Sequence, residues 1–434
     1  MNRLKAIRVD YSPNINGNVH IPGSKNSSLA LLAAACLSDE KVTLQGIPNI
    51  ADFRVIRQMG NDIGLTMERD LLGDVHIDPS GIYSTEFDPK KSSSFRTAYY
   101  FVGALLAKFG KVTVGYPGGD DFVSRPIDQH VKVFEMMGAT FTYDKDFYVV
   151  EAKELTGASI YFDTITSGGT INAILAAVRA KGDTVLLNAA RDPEVIDTAM
   201  LLNEMGARIS GAGTDTIRIS GVSSLKGCTH RVIPDRLIAG SFLIAAGVAG
   251  GRVTVKDVIP EHLGSVLSKL REIGLEIEIN DDSVTAYSTG MLRATRVRTK
   301  MYPGFATDIQ QPMTTLLTQA SGKSIIAEKI YPNRFNHVGQ LRKMGADIRV
   351  RSGVAFVKGK SDLRGAIVQA SDIRAGISLI LAGMVADGST FITGVDHIER
   401  GYEDAVSAFQ SLGVSINKEN ITYGVDENFI DDIK

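Results

Sequence analysis

Apolar residues recur along this chain in two alternating rhythms, a period of two and a period near 3.6, and the alternation itself repeats. Six times an amphipathic stretch runs into a small or apolar residue, a glycine and another apolar residue. These are Ile63-Gly64-Leu65, Met137-Gly138-Ala139, Met205-Gly206-Ala207, Ile273-Gly274-Leu275, Met344-Gly345-Ala346 and Leu412-Gly413-Val414. Successive glycines lie roughly 70 residues apart, the length of one supersecondary unit. Within each copy the pattern predicts a short strand and then a first helix rich in Ala and Leu, at 27–37, 98–109, 171–180, 237–249, 313–320 and 377–386. An apolar strand such as Lys41-Val42-Thr43-Leu44 follows, then a longer amphipathic helix and alternating strands. The shared glycine suits the end of the second helix, where the backbone turns left-handed. The unit reads β-α-β-α-β-β, and six copies predict a mixed α/β (α+β) chain of two domains with three units each. No Pro- or Ser-rich linker marks the join, so the repeat count sets it. Residues 24–232 are expected to form an N-terminal domain, and residues 1–23 with 233–434 a C-terminal, catalytic domain that includes the N-terminal strand.

With 434 residues, 44% of them hydrophobic and 22% charged, the chain can bury two such cores. Its net charge of -2 gives no overall field for nucleic acid or an anionic membrane, so an anionic ligand has to meet a local basic cluster. Two cysteines, Cys36 in an apolar run and Cys228 in a turn, are too few for a disulfide framework or a metal knuckle and predict thiols in a reducing cytosol. Residues 1–11 alternate charged and apolar positions and lack the apolar core of a signal peptide. The apolar stretch 237–251 is shorter than the roughly 18 residues of a membrane span, so it reads as a buried helix of a cytoplasmic protein without membrane contact.

The repeats keep their apolar skeleton and differ in the polar residues at corresponding helix starts. At the first helix these are Lys25 and Asn26, Arg96, the Ser167-Gly168-Gly169-Thr170 turn, Asp235 and Arg236, Asp308, and Arg374; at the second they include Arg125, Arg191, Arg334 and Arg400. Helix starts present unpaired N–H groups and a positive dipole end, which suit phosphate and carboxylate. An arginine there is disfavoured by the dipole, which points to ligand binding more than to helix stability. Singly, each could be a surface charge or a structural ion pair. Together they could converge on one cleft and hold a small ligand bearing both phosphate and carboxylate. Pro22-Gly23-Ser24-Lys25-Asn26-Ser27 is a plausible phosphate seat without Walker spacing. Residues 116–126 form a Gly-Gly loop with two carboxylates, Asp120 and Asp121, running into Arg125-Pro126-Ile127-Asp128-Gln129-His130. Phe305-Ala306-Thr307-Asp308 puts a carboxylate at another helix start, where capping is the alternative role.

These strings, with Ala189-Ala190-Arg191-Asp192-Pro193-Glu194-Val195-Ile196-Asp197, Pro234-Asp235-Arg236, Asn333-Arg334-Phe335-Asn336-His337-Val338 and His397-Ile398-Glu399-Arg400-Gly401-Tyr402, resemble the UDP-N-acetylglucosamine enolpyruvyl transferases over nearly the whole chain. The resemblance implies a two-domain inside-out α/β barrel of six repeats. It implies transfer of the enolpyruvyl group of phosphoenolpyruvate to the 3'-hydroxyl of UDP-N-acetylglucosamine with release of phosphate, the first committed step of peptidoglycan synthesis, with no cofactor or metal and no obligate protein partner. By the same resemblance Lys25, Asn26, Arg125, Arg334, Arg374 and Arg400 hold phosphoenolpyruvate. Arg96, Arg125, Pro126, Ile127, Asp128, Gln129, Thr164, Thr166, Ser167, Gly168, Asp308 and Ile330 line the UDP-sugar site, with Asp308 next to the acceptor hydroxyl. Asp120, in the mobile loop 116–126, sits where most members have a cysteine that protonates the methylene carbon. The segment Thr164-Ile165-Thr166-Ser167-Gly168-Gly169 also departs from the usual family string, which leaves the identity of the nucleotide open.

Three other readings remain at this stage. One is an enolpyruvyl transferase with another acceptor, shikimate 3-phosphate or a nucleotide. The residues after Lys25 lack the Ser-Asn-Arg-like continuation of the shikimate enzymes. A second is a catalytically silent UDP-sugar-binding paralogue, against which Lys25, Asp120, Asp308 and Arg400 count together. A third is an RNA 3'-terminal phosphate cyclase, which shares the repeat unit but calls for a more basic surface.

Overall fold

The computed structural model describes residues 3–93, 96–118, 126–288 and 290–422, without the side chains of Arg3, Arg96, Thr97 and Thr422. The chain divides into two compact units: the described residues of 1–21, 236–300 and 304–434 form one, and those of 22–235 with 301–303 form the other. Six helices are apolar on nearly every side and are buried along almost their whole length. They are Lys25–Ala35, Tyr100–Phe109 and Ser167–Ala177 in one unit, and Arg236–Ala249, Thr307–Thr318 and Ile373–Gly383 in the other. A helix without a polar face needs cover all round. Tyr100–Phe109 accordingly packs against both of its companions, and Thr307–Thr318 packs against both of its own. The strands alternate buried and more exposed residues, as in Val42–Gln45 and Thr216–Ser220, so each sheet turns one face to these helices and the other outward. Helices inside and sheets outside make each unit an inside-out α/β barrel.

Every repeat ends on the same sheet plan, one parallel neighbour followed by an antiparallel meander. Val42–Gln45 runs parallel to Thr229–Arg231, and Gly251–Lys256 runs parallel to Ile15–His20. The leading strand of the first repeat therefore comes from 229–231 and that of the fourth from 15–20. In the last repeat Arg3–Val9 lies between Thr390–Thr393 and Ile416–Thr422, antiparallel to both. In the sheet of Lys111–Gly115 the parallel neighbour shrinks to the single bridge Glu86 to Thr113.

The six repeated glycines all have positive φ, from 85° at Gly413 to 118° at Gly274, and each follows the second helix of its repeat. Several helix starts lie earlier than the apolar pattern predicts, while the helix expected from 98 begins at Tyr100 after the 3-10 turn Arg96–Tyr99. The helix expected at 313–320 begins at Thr307 and carries Pro312 inside it, and that expected at 171–180 begins at Ser167. The apolar pattern begins late because the first turns are polar. Arg400 is also a correction: it caps the C-terminal end of Val395–Glu399 and is at no helix start, a position where the helix dipole favours a cation. No described helix is long and apolar enough to cross a membrane.

Candidate active site

In the unit holding residues 236–300, Asp308 sits in the first turn of Thr307–Thr318 and carries two arginines. Arg334 Nη1 donates to Asp308 Oδ1, and Arg374 Nη2 donates to Oδ2 at 3.4 Å. Both arginines are 5% exposed. Burial works against the charge of Arg334, but Asp308 and Asp372 outweigh it and its pKa is raised. Asp372 caps Ile373–Gly383, accepting from Arg374 N at 2.9 Å and Ala375 N at 3.0 Å, and so fixes the turn that projects Arg374. Behind Arg334, His337 is fully buried with neither ring nitrogen hydrogen-bonded; burial and then the charge of Arg334 push its pKa down to about 3. Ile330 and Arg400 are partly buried in the same unit. One carboxylate between two buried guanidiniums is a site where a further anion and a hydroxyl near Asp308 could both be held.

The other unit places its expected residues in two groups. Lys25 begins Lys25–Ala35, with Ser24 Oγ accepting from Ser27 N at 3.3 Å and Asp235 Oδ2 accepting from Lys25 N at 3.1 Å. The Lys25 ammonium meets Asp52 Oδ2 at 2.6 Å, and both side chains are largely buried. Asn26 beside it is partly buried. The second group gathers three helix starts. Asn172 Nδ2 donates to Tyr99 O and to His130 Nδ1, both at 3.1 Å, while Asn172 Oδ1 accepts from Gly103 N at 3.0 Å. One buried amide thus ties the turn Arg96–Tyr99, the helix Asp128–Met136 and the helix Ser167–Ala177 together. Gln129 accepts from Asp163 N at 3.0 Å and donates to Asp128 at 2.8 Å, and Lys132 pairs with Asp163 at 2.7 Å. Thr166 caps the third helix through Gly169 N at 3.2 Å. A side chain at Gly168 would meet the Tyr99 hydroxyl at 2.3 Å, so glycine there lets the Tyr99 ring pack closely against the first turn of that helix. Pro126, Asp128 and Thr164 are exposed, and Ile127 and Ser167 partly so.

Asp120 and Arg125 lie outside the described residues, as does the side chain of Arg96. Arg191, singled out at a helix start, pairs on the surface with Asp215 at 3.1 Å. Reading the sequence missed Asp52 and Asp372. Asp372 was open to detection, because Ser371-Asp372 before an apolar run is a helix-start signal. Asp52 acts on Lys25, distant in sequence, and no local pattern reports that. Among the described residues no group of three or more His, Cys, Asp or Glu side chains could hold a metal ion.

The chain belongs to the family described as EPSP synthase (3-phosphoshikimate 1-carboxyvinyltransferase), which it matches over residues 9–409. It is 47% identical over 419 residues, 96% of this chain and 98% of the relative, to UDP-N-acetylglucosamine 1-carboxyvinyltransferase 2 of Bacillus cereus. Proteins of the same name from Geobacillus kaustophilus and Bacillus subtilis are 46% and 44% identical, over 97% and 96% of this chain and 98% of each relative. Among solved structures the enolpyruvyl transferase NikO from Streptomyces tendae superimposes with a TM-score of 0.87 at 22% identity, covering 97% of this chain and all of that one. EPSP synthase from Acinetobacter baumannii does so with a TM-score of 0.72 at 18% identity, over 96% of this chain and all of that one.

Proposed function

We propose that this protein transfers the enolpyruvyl group of phosphoenolpyruvate to the 3'-hydroxyl of UDP-N-acetylglucosamine, releasing phosphate. This would be the first committed step of peptidoglycan synthesis, and with it a step in wall growth, cell shape and division, carried out in the cytoplasm. The observation that carries the reading is Asp308, held at a helix start by the buried Arg334 and Arg374. The names of the relatives at 44–47% identity support the acceptor.

In this reading the methylene carbon of phosphoenolpyruvate takes a proton from Asp120, and the sugar oxygen bonds to the neighbouring carbon while its proton passes towards Asp308. The tetrahedral adduct then loses phosphate by cleavage of its C–O bond, and loss of a methyl proton restores the enol ether. Lys25, Asn26, Arg125, Arg334, Arg374 and Arg400 hold phosphoenolpyruvate. Arg96, Arg125, Pro126, Ile127, Asp128, Gln129, Thr164, Thr166, Ser167, Gly168 and Ile330, with Asp308, hold the UDP-sugar. In this assignment Asp52 keeps the Lys25 ammonium in place until the anion arrives.

A phosphate-release assay over a panel of acceptors tests this. With phosphoenolpyruvate present, UDP-N-acetylglucosamine should release one phosphate per acceptor consumed, and shikimate 3-phosphate none. Turnover with shikimate 3-phosphate or another nucleotide but not with the UDP-sugar would overturn the acceptor assignment. Tight UDP-sugar binding without turnover would instead identify a silent paralogue.

A further inference from the structure

Glu328 is 1% exposed and bonds no side chain assigned to substrate, only the backbone of Ile330 among those residues, yet four donors converge on its carboxylate. Oε1 accepts from the Thr299 hydroxyl at 2.6 Å, from Ile330 N at 2.9 Å and from Tyr331 N at 3.0 Å. Oε2 accepts from the Thr307 hydroxyl at 2.9 Å. Thr299, itself fully buried, accepts from Lys329 N at 2.8 Å, so its one proton is committed to Glu328. The carboxylate therefore clamps the peptide segment that carries Ile330 and leads to Arg334, whose own N–H donates to Tyr331 O at 2.9 Å.

The other oxygen fixes a direction. A threonine hydroxyl has one proton and two lone pairs. With its proton held by Glu328 Oε2, Thr307 turns lone pairs outward, and Arg334 Nη1 donates to it at 3.3 Å while also donating to Asp308. Without Glu328 the Thr307 proton would be released to compete for the neighbouring acceptors, Asp308 among them. We infer that Glu328 is a positioning residue for the transfer: through Thr307 it sets the hydrogen-bond polarity that locks Arg334 onto Asp308, and through Ile330 and Tyr331 it holds the segment that delivers Arg334. The inference rests on the reading that Asp308 serves the acceptor hydroxyl.

The test compares Glu328→Gln, Thr307→Val, Thr307→Ser and the Glu328→Gln/Thr307→Val double variant, with Asp308→Asn as reference, in the phosphate-release assay. A misplaced reacting group costs up to about 100-fold in rate, so Glu328→Gln and Thr307→Val should each lower kcat by about 10- to 100-fold. The KM for UDP-N-acetylglucosamine should stay within about twofold and the thermal midpoint within a few degrees, since the isosteric amide can keep its oxygen towards the two peptide N–H groups. The double variant should be no worse than the poorer single one, because both act through one chain of hydrogen bonds. Thr307→Ser should recover most of what Thr307→Val loses. Wild-type kcat in Glu328→Gln, losses that multiply in the double variant, or a Thr307→Ser as poor as Thr307→Val would each overturn the inference. Should Glu328→Gln not fold, the Val and Ser pair decides alone. Normal turnover by Asp308→Asn would bring down the reading of Asp308 and this inference with it. An inactive Asp308→Asn beside fully active Glu328→Gln and Thr307→Val would bring down the inference only.

Discussion

Neither cysteine of this chain is a nucleophile at neutral pH. Cys36 is fully buried and its thiol is pushed up to about 12, while burial and then Glu204 push Cys228 up to about 11. A thiol attacks as its thiolate, so both are inert towards an electrophile that a low-pKa cysteine would capture. The family resemblance puts the proton donor at residue 120, where most members have cysteine and this chain has aspartate. Fosfomycin inactivates those members by alkylation of that sulfur, and a carboxylate is a far weaker nucleophile towards an epoxide. We expect this enzyme to turn over in the presence of fosfomycin and Asp120→Cys to become inactivated over time with activity retained before treatment. Intact mass after incubation with fosfomycin and UDP-N-acetylglucosamine checks both. A covalent adduct on the unsubstituted protein would contradict the resistance, and full activity of Asp120→Ala would contradict the donor role.

Among the secondary-structure elements, the glycine that closes each second helix is there for its backbone. Around Gly206, with φ 104°, there is open space where a side chain would begin, so any cost of alanine comes from the left-handed conformation itself. Gly339 has the same open space but lies inside the helix Asn336–Lys343. Alanine should therefore act in opposite directions: Gly206→Ala should lower stability by about 1–2 kcal/mol, and Gly339→Ala should raise it by about 0.5–1 kcal/mol. Urea midpoints read both, and equal signs would refute the conformational explanation. These glycines were legible in the sequence because one physical requirement recurs at a fixed place in six units. The buried helices were legible for a related reason, since a run such as Leu29 to Leu37, apolar on all faces, has to be covered on all faces. The apolar pattern alone put two starts late, at 313 and 171, because Thr307 to Gln311 and Ser167 to Thr170 are polar; it was those polar residues, Asp308 and the Ser167 turn, that marked the helix starts. Least legible was the clamp at Glu328, whose partners Thr299 and Thr307 reach it only through tertiary packing.

At the scale of the whole molecule, the buried His230 and His337 should give the two units opposite dependences on pH. His230, on Thr229–Arg231, lies between two carboxylate acceptors, Asp197 (2.8 Å) and Glu204 (2.9 Å), and Asp197 also accepts from the Ser27 hydroxyl, two residues beyond Lys25. Burial opposes its charge, but the hydrogen bonds and charges of these carboxylates outweigh that, and its pKa is raised above 6.5. A raised folded-state value means stabilisation that is complete below the unfolded pKa near 6.5 and is lost as pH rises through the folded one. His337, in the other unit, is held neutral with its pKa at about 3. There the unfolded chain takes up the proton first, so stability is complete above about pH 6.5 and declines as pH falls towards 3, by up to about 5 kcal/mol. Carboxylates held low by their partners, such as Asp39 and Glu272, titrate only further into acid. Between about pH 6.5 and 4.5 the decline should therefore belong mainly to His337. Denaturant unfolding from pH 4.5 to 9, with hydrogen exchange assigning each loss to a unit, should show acid weakening in the unit with Asp308 and alkaline weakening in the unit with Lys25. His337→Leu should flatten only the acid limb and His230→Gln only the alkaline one. An acid limb as steep in His337→Leu as in the unsubstituted protein would show that its burial is not what sets acid stability, and a flat alkaline limb in the unsubstituted protein would show the same for His230 and its two carboxylates.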